Sequence, residues 1–278
     1  MGGRLSIVAT PIGCLEDITL RGLRVLREAD IILAEDTRHT RTLCAKHGIA
    51  TPLRSFHAHS SDDKVAAIID ALRGGAHYAL VSDAGTPVVS DPGSYLVNRA
   101  SAEGITVEAV PGPSAVLAAL SVSGLPSRRF VFEGFLARSG KERRLALERI
   151  AESTSTTVLF ESPHRAHATL RDLDSHLDAT RPAVLCRELT KLHEEIIHGT
   201  LREIRDELAD PPRGEITIVI AGKQGEEPAR DIDLRALVKE WQEEGLTTKS
   251  MAQRLHDDFG WKRNVGYRAV LDALENDD

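Results

Sequence analysis

The sequence predicts an α/β fold: a parallel sheet in its first half, a second α/β region after it, and a helical segment at the end. Three observations carry this. Short apolar runs alternate with amphipathic stretches, the rhythm of strand–helix–strand crossovers. The early runs are continuously apolar rather than alternating, so both faces of their sheet are covered. Turn-forming residues then punctuate the ends of the runs.

In chain order, Leu5–Ala9, Ile31–Ala34, Tyr78–Val81 and Ile105–Val110 are the strand candidates of the first half. Amphipathic segments near 19–29, 40–47, 61–73 and 91–103 lie between them. Ser61-Asp62-Asp63 ahead of Val65, Ile68, Ile69 and Leu72 is a capped amphipathic helix. In the second half, Phe130–Phe132, Thr157–Phe160, Ala183–Cys186 and Ile216–Ala221 are strand candidates, with helices near 140–152, 163–176 and 200–209. A boundary falls near 113–125, where Pro111-Gly112-Pro113 and Gly124-Leu125-Pro126 interrupt the chain. Gly222–Arg230 is polar with Gly and Pro and predicts a linker. Beyond it the pattern is helical: Thr247-Thr248 caps one helix to about Asp258, Gly260 ends it, and 262–275 forms another. The domains expected are 1–115, 116–224 and 231–278.

Composition narrows the function classes. The 278 residues are 41% hydrophobic and 28% charged, as in a globular protein rather than a disordered one. No apolar run reaches the 18–20 residues of a membrane span, and Met1-Gly2-Gly3-Arg4-Leu5 leads straight into a strand pattern, so no membrane association is expected. Three distant cysteines, Cys14, Cys44 and Cys186, make no disulfide framework and no Cys-based zinc site, which points to a reducing cytoplasm. The net charge of −7 argues against nonspecific nucleic-acid binding, but a local basic patch is compatible with it. Aromatics at 4% disfavour a base-stacking platform.

Several common site patterns are missing. There is no GxxxxGK[ST], no GxGxxG after the first strand and no GxSxG. His193 and His198 are five apart on a strand-like run, not four apart on a helix, so no metal is expected there. The distinctive feature is the strand ends: Thr10-Pro11-Ile12-Gly13, Glu35-Asp36-Thr37-Arg38, Ser82-Asp83-Ala84-Gly85-Thr86-Pro87 and Pro111-Gly112-Pro113-Ser114-Ala115. Open parallel sheets bind ligands outside the carboxyl ends of their strands. Small residues there admit a ligand close to the backbone. Glu35, Asp36 and Asp83 at the same edge suit a cationic or hydroxyl-rich ligand.

These residues carry a resemblance. LSIVATPIGCLEDITLRGLRVLREADIILAEDTRHT resembles the opening of the bacterial ribosomal RNA small subunit methyltransferase I family, within the tetrapyrrole methylase superfamily. The likeness continues in order through SFHAHS at 55–60, VSDAGTPVVSDPGSYLV at 81–97 and VPGPSAVLAALSVSGLP at 110–126. It extends to FEGFL at 132–136, FESPHR at 160–165, CRELTKLHEEIIHGTL at 186–201 and GEITIVIAG at 214–222. One departure is Cys14, where the family usually has Asn after TPIG.

The resemblance implies two α/β domains with a cofactor cleft between them, plus a small C-terminal helical module. It implies S-adenosylmethionine as cofactor and methyl transfer to the ribose 2′-hydroxyl of a cytidine in the decoding region of 16S small-subunit ribosomal RNA. The substrate is the free RNA or the assembled 30S subunit, and a homodimer is expected. Pro11, Asp83, Ala84, Gly85, Thr86, Val89, Ser114 and Ala115 match the cofactor contacts of the first domain. Glu161 or Ser162, and Leu189, match those of the second.

A positioned base assists a weakly acidic hydroxyl, and Asp36, Glu35, Glu188 and Glu161 are its candidates. Asp36 is preferred, with Arg38 holding a neighbouring phosphate; the alternative is that Glu35 and Arg38 pair with each other or cap the next helix. Lys191 is a second candidate, for a phosphate or a developing alkoxide. His57 and His59 either contact RNA or line a loop. Two basic stretches are expected to track phosphates. One holds Arg128, Arg129, Arg138, Lys141, Arg143, Arg144 and Arg149 against three Glu; the other holds Lys249, Arg254, Lys262, Arg263 and Arg268 against Asp257 and Asp258. The competing readings are a tetrapyrrole C-methyltransferase of the same superfamily and a noncatalytic RNA- or cofactor-binding module.

Overall fold

A computed structural model describes residues 2–58, 60–223, 233–259, 261 and 263–275. The chain divides into two compact units, at Lys223/Gln224. The expected linker lies mostly outside the described residues, as do His59, Gly260 and Lys262.

The larger unit holds two sheets. The first is built from β1 (Arg4–Val8), β2 (Ile31–Ala34), β3 (Leu53–Ser55), β4 (His77–Val81) and β5 (Thr106–Val110), in the order β3-β2-β4-β1-β5. Every pairing is parallel. The crossovers are α1 (Leu20–Glu28), α2 (Thr37–Lys46), α3 (Asp62–Arg73) and α4 (Ser94–Ala102). β2 and β4 are buried along their whole length, as continuous apolar runs require; β5, at an edge, is half-exposed. Two apolar clusters form the core of this half, one around Leu5, Leu33, Ile69 and Leu96, the other around Val8, Leu26, Ile32 and Val81.

Local chemistry sets the helix starts. Thr19 accepts a hydrogen bond from the Gly22 N–H, and Ser61 accepts one from Lys64. Asp36 does the same for Arg38, so α2 begins three residues before the apolar periodicity announces it. The short strand β3 was not expected; its three residues carry too little pattern to detect.

The second sheet holds β6 (Phe130–Phe135), β7 (Thr156–Glu161), β8 (Pro182–Arg187), β9 (Glu195–Thr200) and β10 (Ile216–Ile220), in the order β6-β7-β10-β8-β9. β6 and β7 are parallel and the other pairs antiparallel. Its helices are α6 (Gly140–Glu152), α7 (Ala166–His176) and α8 (Leu201–Glu207), the last closed by a Thr200/Glu203 capping box. Across the expected boundary at 113–125 lies a helix, α5 (Ala115–Ser123). It packs Val116, Ala119 and Leu120 onto Val158, Val184 and Val219 of the second sheet. The smaller unit is α9 (Leu234–Glu243), α10 (Thr248–Phe259) and α11 (Arg263–Glu275) around Val238, Trp241, Met251, Leu255 and Val270. Among the described residues no helix is long and apolar enough to cross a membrane.

A buried polar cluster sits at the amino ends of the first sheet's strands. The His77 ring lies 2.9 Å from Ser6 Oγ through Nε2 and 3.2 Å from the Arg4 guanidinium through Nδ1. Ser6 in turn donates to Glu108. Burial, and then the charge of Arg4, push the His77 pKa below its usual 6.5. The folded ring therefore stays neutral where an unfolded histidine takes up a proton, and stability falls as pH drops from 6.5 toward the folded pKa. Thermal melts between pH 7.5 and 5.5 should show wild-type Tm declining, and a flatter profile in His77→Gln.

Candidate active site

The strand order creates the site. β1 leads to β2 on one side of the sheet, while β4 leads to β5 on the other, so the loops leaving the adjacent β1 and β4 diverge and open a crevice. Those loops are tied across it. Thr10 N–H donates to the Gly85 carbonyl at 2.9 Å, and Gly85 N–H donates to the Thr10 carbonyl at 3.0 Å. Gly85 has φ +75°, a conformation that favours glycine. Thr10 Oγ1 also donates to the Ser82 carbonyl at 3.2 Å, and Thr86 Oγ1 to the Pro113 carbonyl at 3.1 Å. Three strand-end loops are thereby locked to one another.

The second sheet closes the opposite side. In the antiparallel register Ile216 lies opposite Glu161, which brings the end of β7 and the start of β10 to one edge. Between the two halves lies a cleft of about 440 Å³. Its first-half wall is Ile12, Glu35, Asp83–Thr86, Val89–Asp91 and Ser114–Val116; its second-half wall is Phe135, Phe160–Pro163 and Glu215–Thr217. Such a volume suits a small-molecule ligand. The first turn of α5 opens onto the cleft, and its N-cap Ser114 makes no side-chain capping bond.

Glu161 is held from behind. Its side chain is fully buried; it accepts from Ser162 N–H at 2.7 Å and Thr169 Oγ1 at 2.6 Å, and pairs with Arg165 at 3.2 Å. Arg143 donates to Thr169 at 3.0 Å and clamps Asp172 at 2.7 and 2.8 Å. This network fixes the Phe160–Arg165 turn.

Acidity in the cleft is graded. Burial, then the charges of Asp83 and Asp91, push the Glu35 pKa above its ordinary 4.5. Asp91, which the sequence did not single out, is likewise raised, chiefly by burial. Asp36 is the opposite case. Its carboxylate caps α2 and grips the Arg38 guanidinium at 2.6 Å, which lowers its pKa to about 2.

The sequence profile of the family described as Tetrapyrrole (Corrin/Porphyrin) Methylases matches residues 4–205. A Pseudomonas aeruginosa protein named Ribosomal RNA small subunit methyltransferase I is 43% identical over 273 residues, 97% of either chain. The chain belongs to the tetrapyrrole methylase family, in its ribosomal RNA small subunit methyltransferase I branch. A Thermotoga maritima member of that branch is 48% identical over 223 residues, covering 80% of this chain and all of the other. Among solved structures, the fold is shared with uroporphyrin-III C-methyl transferase from Thermus thermophilus complexed with S-adenyl homocysteine. That match has a TM-score of 0.56 at 22% identity, covering 80% of this chain and 98% of the other.

Of the residues expected at a cofactor, Asp83, Ala84, Gly85, Thr86, Val89, Ser114, Ala115, Glu161 and Ser162 all line the cleft. Pro11 is buried behind it, between Thr10, which makes the loop bridge, and Ile12, which faces the cavity. Leu189 packs behind the wall in the cluster that contains Ile12 and Val116. Of the catalytic candidates, Glu35 lines the cleft; Asp36 and Arg38 pair with each other at its rim. Asp36, the preferred base, is engaged as the α2 cap and in the Arg38 ion pair, which holds its pKa at about 2 and makes it a weaker proton acceptor than Glu35. Lys191 does not line the cleft; it bridges Glu188 at 2.8 Å and Glu215 at 2.9 Å.

The turn carrying Lys191 presses on the first-half loop. A Cβ on Gly13 would lie 2.5 Å from Lys191 Cγ and 2.6 Å from Thr190 Oγ1. The Cys14 N–H donates to Thr190 Oγ1 at 3.0 Å, so the contact at the family's usual Asn is made by backbone. Apolar Phe135 and Phe160, and Ile216 and Thr217 on β10, were not anticipated; only the register of the second sheet brings them here. His193 and His198 form no metal cluster with other ligating groups among the described residues.

Arg143 corrects an expectation. Counted as a phosphate-tracking surface residue, it is in fact buried, with Thr169, Asp172 and the Ala137 carbonyl as partners. Its neighbour Arg144 is exposed, in a weak i,i+4 pair with Glu148. Chemical denaturation should show Arg143→Leu losing about 2–3 kcal/mol, the worth of charged hydrogen bonds left unmade. Arg144→Ala should stay within about 0.5 kcal/mol of wild type.

Proposed function

We propose that this protein transfers a methyl group from S-adenosylmethionine to the ribose 2′-hydroxyl of a cytidine in the decoding region of 16S ribosomal RNA. The observation that carries the reading is one cleft that pairs a backbone-lined cradle with an acid of raised pKa, in a chain of the rRNA methyltransferase I branch.

The residues present fit the cofactor. Carboxylates at Glu35, Asp83 and Asp91 suit ribose hydroxyls and positive charge, and Ile12, Val89, Val116 and Phe135 offer apolar walls. Asp83–Thr86 line the cleft, with the Thr10 bridge holding Gly85 in place. When bound, S-adenosylmethionine supplies a methyl activated on a sulfonium and is left as S-adenosylhomocysteine. The protein's part is to align the ribose oxygen with that methyl, which removes most of the entropic cost of the encounter. As the oxygen–carbon bond forms, the hydroxyl proton passes to Glu35. A carboxylate with a raised pKa is better matched to that task than Asp36. Asp36 and Arg38 shape the rim, and the outward face of the Arg38 guanidinium meets a phosphate next to the target ribose. The 2′-hydroxyl is the nucleophile, so a DNA version of the target is not methylated.

The reading places the protein in the cytoplasm, with the assembled 30S subunit as the substrate its net charge of −7 favours over free strands. It includes a homodimer, supported by Phe130 and Val131, which stay exposed on the edge strand β6.

The test is transfer from labelled S-adenosylmethionine to small subunits lacking the modification, with the product mapped by mass spectrometry. One 2′-O-methylated cytidine in the decoding region is expected. No transfer to subunits or free RNA, with cofactor binding intact, would move the assignment to a tetrapyrrole substrate or a noncatalytic role. Glu35→Gln should lower kcat by about 100-fold while cofactor binding persists. Because Glu35 acts ionised, the wild-type rate should climb with pH through its raised pKa, and this acid limb should vanish in the variant. Asp36→Ala should lower stability measurably through the lost cap and leave turnover near normal.

A further inference from the structure

We infer that the face formed by α2 and the edge strand β3 carries the phosphate backbone of the RNA substrate as it leaves the cleft. This deepens the proposed function and rests on its reading of the substrate as ribosomal RNA.

The first observation is charge. From Thr37 to His57 the chain holds four Lys/Arg (Arg38, Arg41, Lys46, Arg54) and three His, and no Asp or Glu at all. The one other comparable run without a carboxylate, 109–132, holds only two basic residues, Arg128 and Arg129, so it is the basic count together with the missing carboxylates that marks 37–57 on a protein of net charge −7. They fold into α2 and, six residues on, β3; among the described residues β3 pairs only with β2, so its outer edge is an edge of the sheet.

The second observation is that the charges are uncommitted. Arg41, Lys46 and Arg54 are exposed, and among the described residues none has a carboxylate partner. Elsewhere on the unit many basic side chains are engaged, as in Arg99–Glu103, Arg149–Glu133 and Arg205–Asp174. Arg54 has a second task available, since a charged side chain on an open edge discourages strand addition. Lys46, in the last turn of α2, also complements the helix dipole; Arg41, in mid-helix, has neither task. Arg41 also lines a surface hollow of about 290 Å³ with Thr51 and Leu53, room for part of a nucleotide beside a free guanidinium.

The third observation is continuity with the site. Glu35 lines the cleft, and the next residue begins the α2 cap. The Asp36 N–H donates to Asp83 Oδ1 at 2.8 Å, and His39 Nδ1 lies 3.6 Å from Asp83 Oδ2. The first turn of α2 is therefore part of the cleft's rim. Ten helical residues then carry the basic face about 15 Å away from it. A strand whose ribose enters the cleft meets this face next. A carboxylate-free surface supplies the local positive potential that the whole protein lacks.

The test is steady-state methyl transfer to small subunits by a triple variant, Arg41→Gln, Lys46→Gln and Arg54→Gln, at 50 to 200 mM salt. All three are surface side chains, and circular dichroism verifies the fold. The proposal expects KM for subunits to rise about tenfold or more. It also expects the log–log salt slope to shrink by about one per lost contact, about three in all. kcat at saturation and the affinity for S-adenosylmethionine stay at wild-type values. A charge-reversed set (Arg41→Glu, Lys46→Glu, Arg54→Glu) should deepen the KM effect. Unchanged KM and slope would overturn the inference while leaving the proposed function standing. A raised KM with an unchanged slope would overturn it in favour of contact with a ribosomal protein. If the wild type transfers no methyl to subunits, the proposed function fails first, and this inference with it.

Discussion

Two hydrogen bonds between Thr10 and Gly85 hold the loops after β1 and β4 against each other, and the shape of the cleft follows from them. Loops at the carboxyl ends of parallel strands are ordinarily the mobile part of an α/β sheet. Here a strand-like bridge spans the point where the chain diverges in two directions. Gly85 makes the bridge possible because its φ of +75° is strained for any residue with a Cβ. Thr86 extends the lock to the loop after β5 through Pro113. The backbone groups of 83–86 are thus fixed before any ligand arrives, which reduces the ordering cost of binding.

The second sheet answers with side chains rather than backbone. Arg143 on α6, Thr169 on α7 and Glu161 at the end of β7 form a buried relay whose polar atoms satisfy one another. A buried charge without partners is costly, so such a relay holds only in one arrangement. Its consequence is a fixed Phe160–Arg165 turn facing the pinned loops. Between these two rigid walls, carboxylates take different characters from their surroundings. Glu35 and Asp91 are raised by burial and by acidic neighbours, while Asp36, one residue along, is lowered by Arg38. Adjacent residues of similar chemistry thereby differ: Glu35 is held toward its protonated form, and Asp36 is a charged clamp on Arg38.

Much of this was legible in the sequence, and the exceptions have physical causes. Strands β1, β2 and β4 and helix α3 are announced by apolar runs and a cap. The loops at 83–86 and 114–115 are announced by small residues at strand ends, and the family resemblance adds Glu161 and Ser162. The order β6-β7-β10-β8-β9 is not readable from any single run, so the arrival of Glu215, Ile216 and Thr217 at the cleft was invisible. Helix α5 was not announced as a helix, because glycine and proline flank it and its apolar face follows no polar counterpart; it packs on the second sheet. Arg143 looked like surface charge, since a local count of basic residues does not register that a helix face is turned inward. The basic α2–β3 face was missed for the converse reason. Its significance lies in an absence of carboxylates and of partners, and only the fold displays the second.

The most direct measurement of the central claim is a crystal structure of the protein with S-adenosylhomocysteine. The account predicts the ligand between the two sheets, against the backbone of Ala84, Gly85 and Thr86, with Glu35 within reach of the site vacated by the methyl. A ligand bound elsewhere, or a cleft in which the Thr10–Gly85 bridge has opened to admit it, would contradict a preformed cofactor cradle.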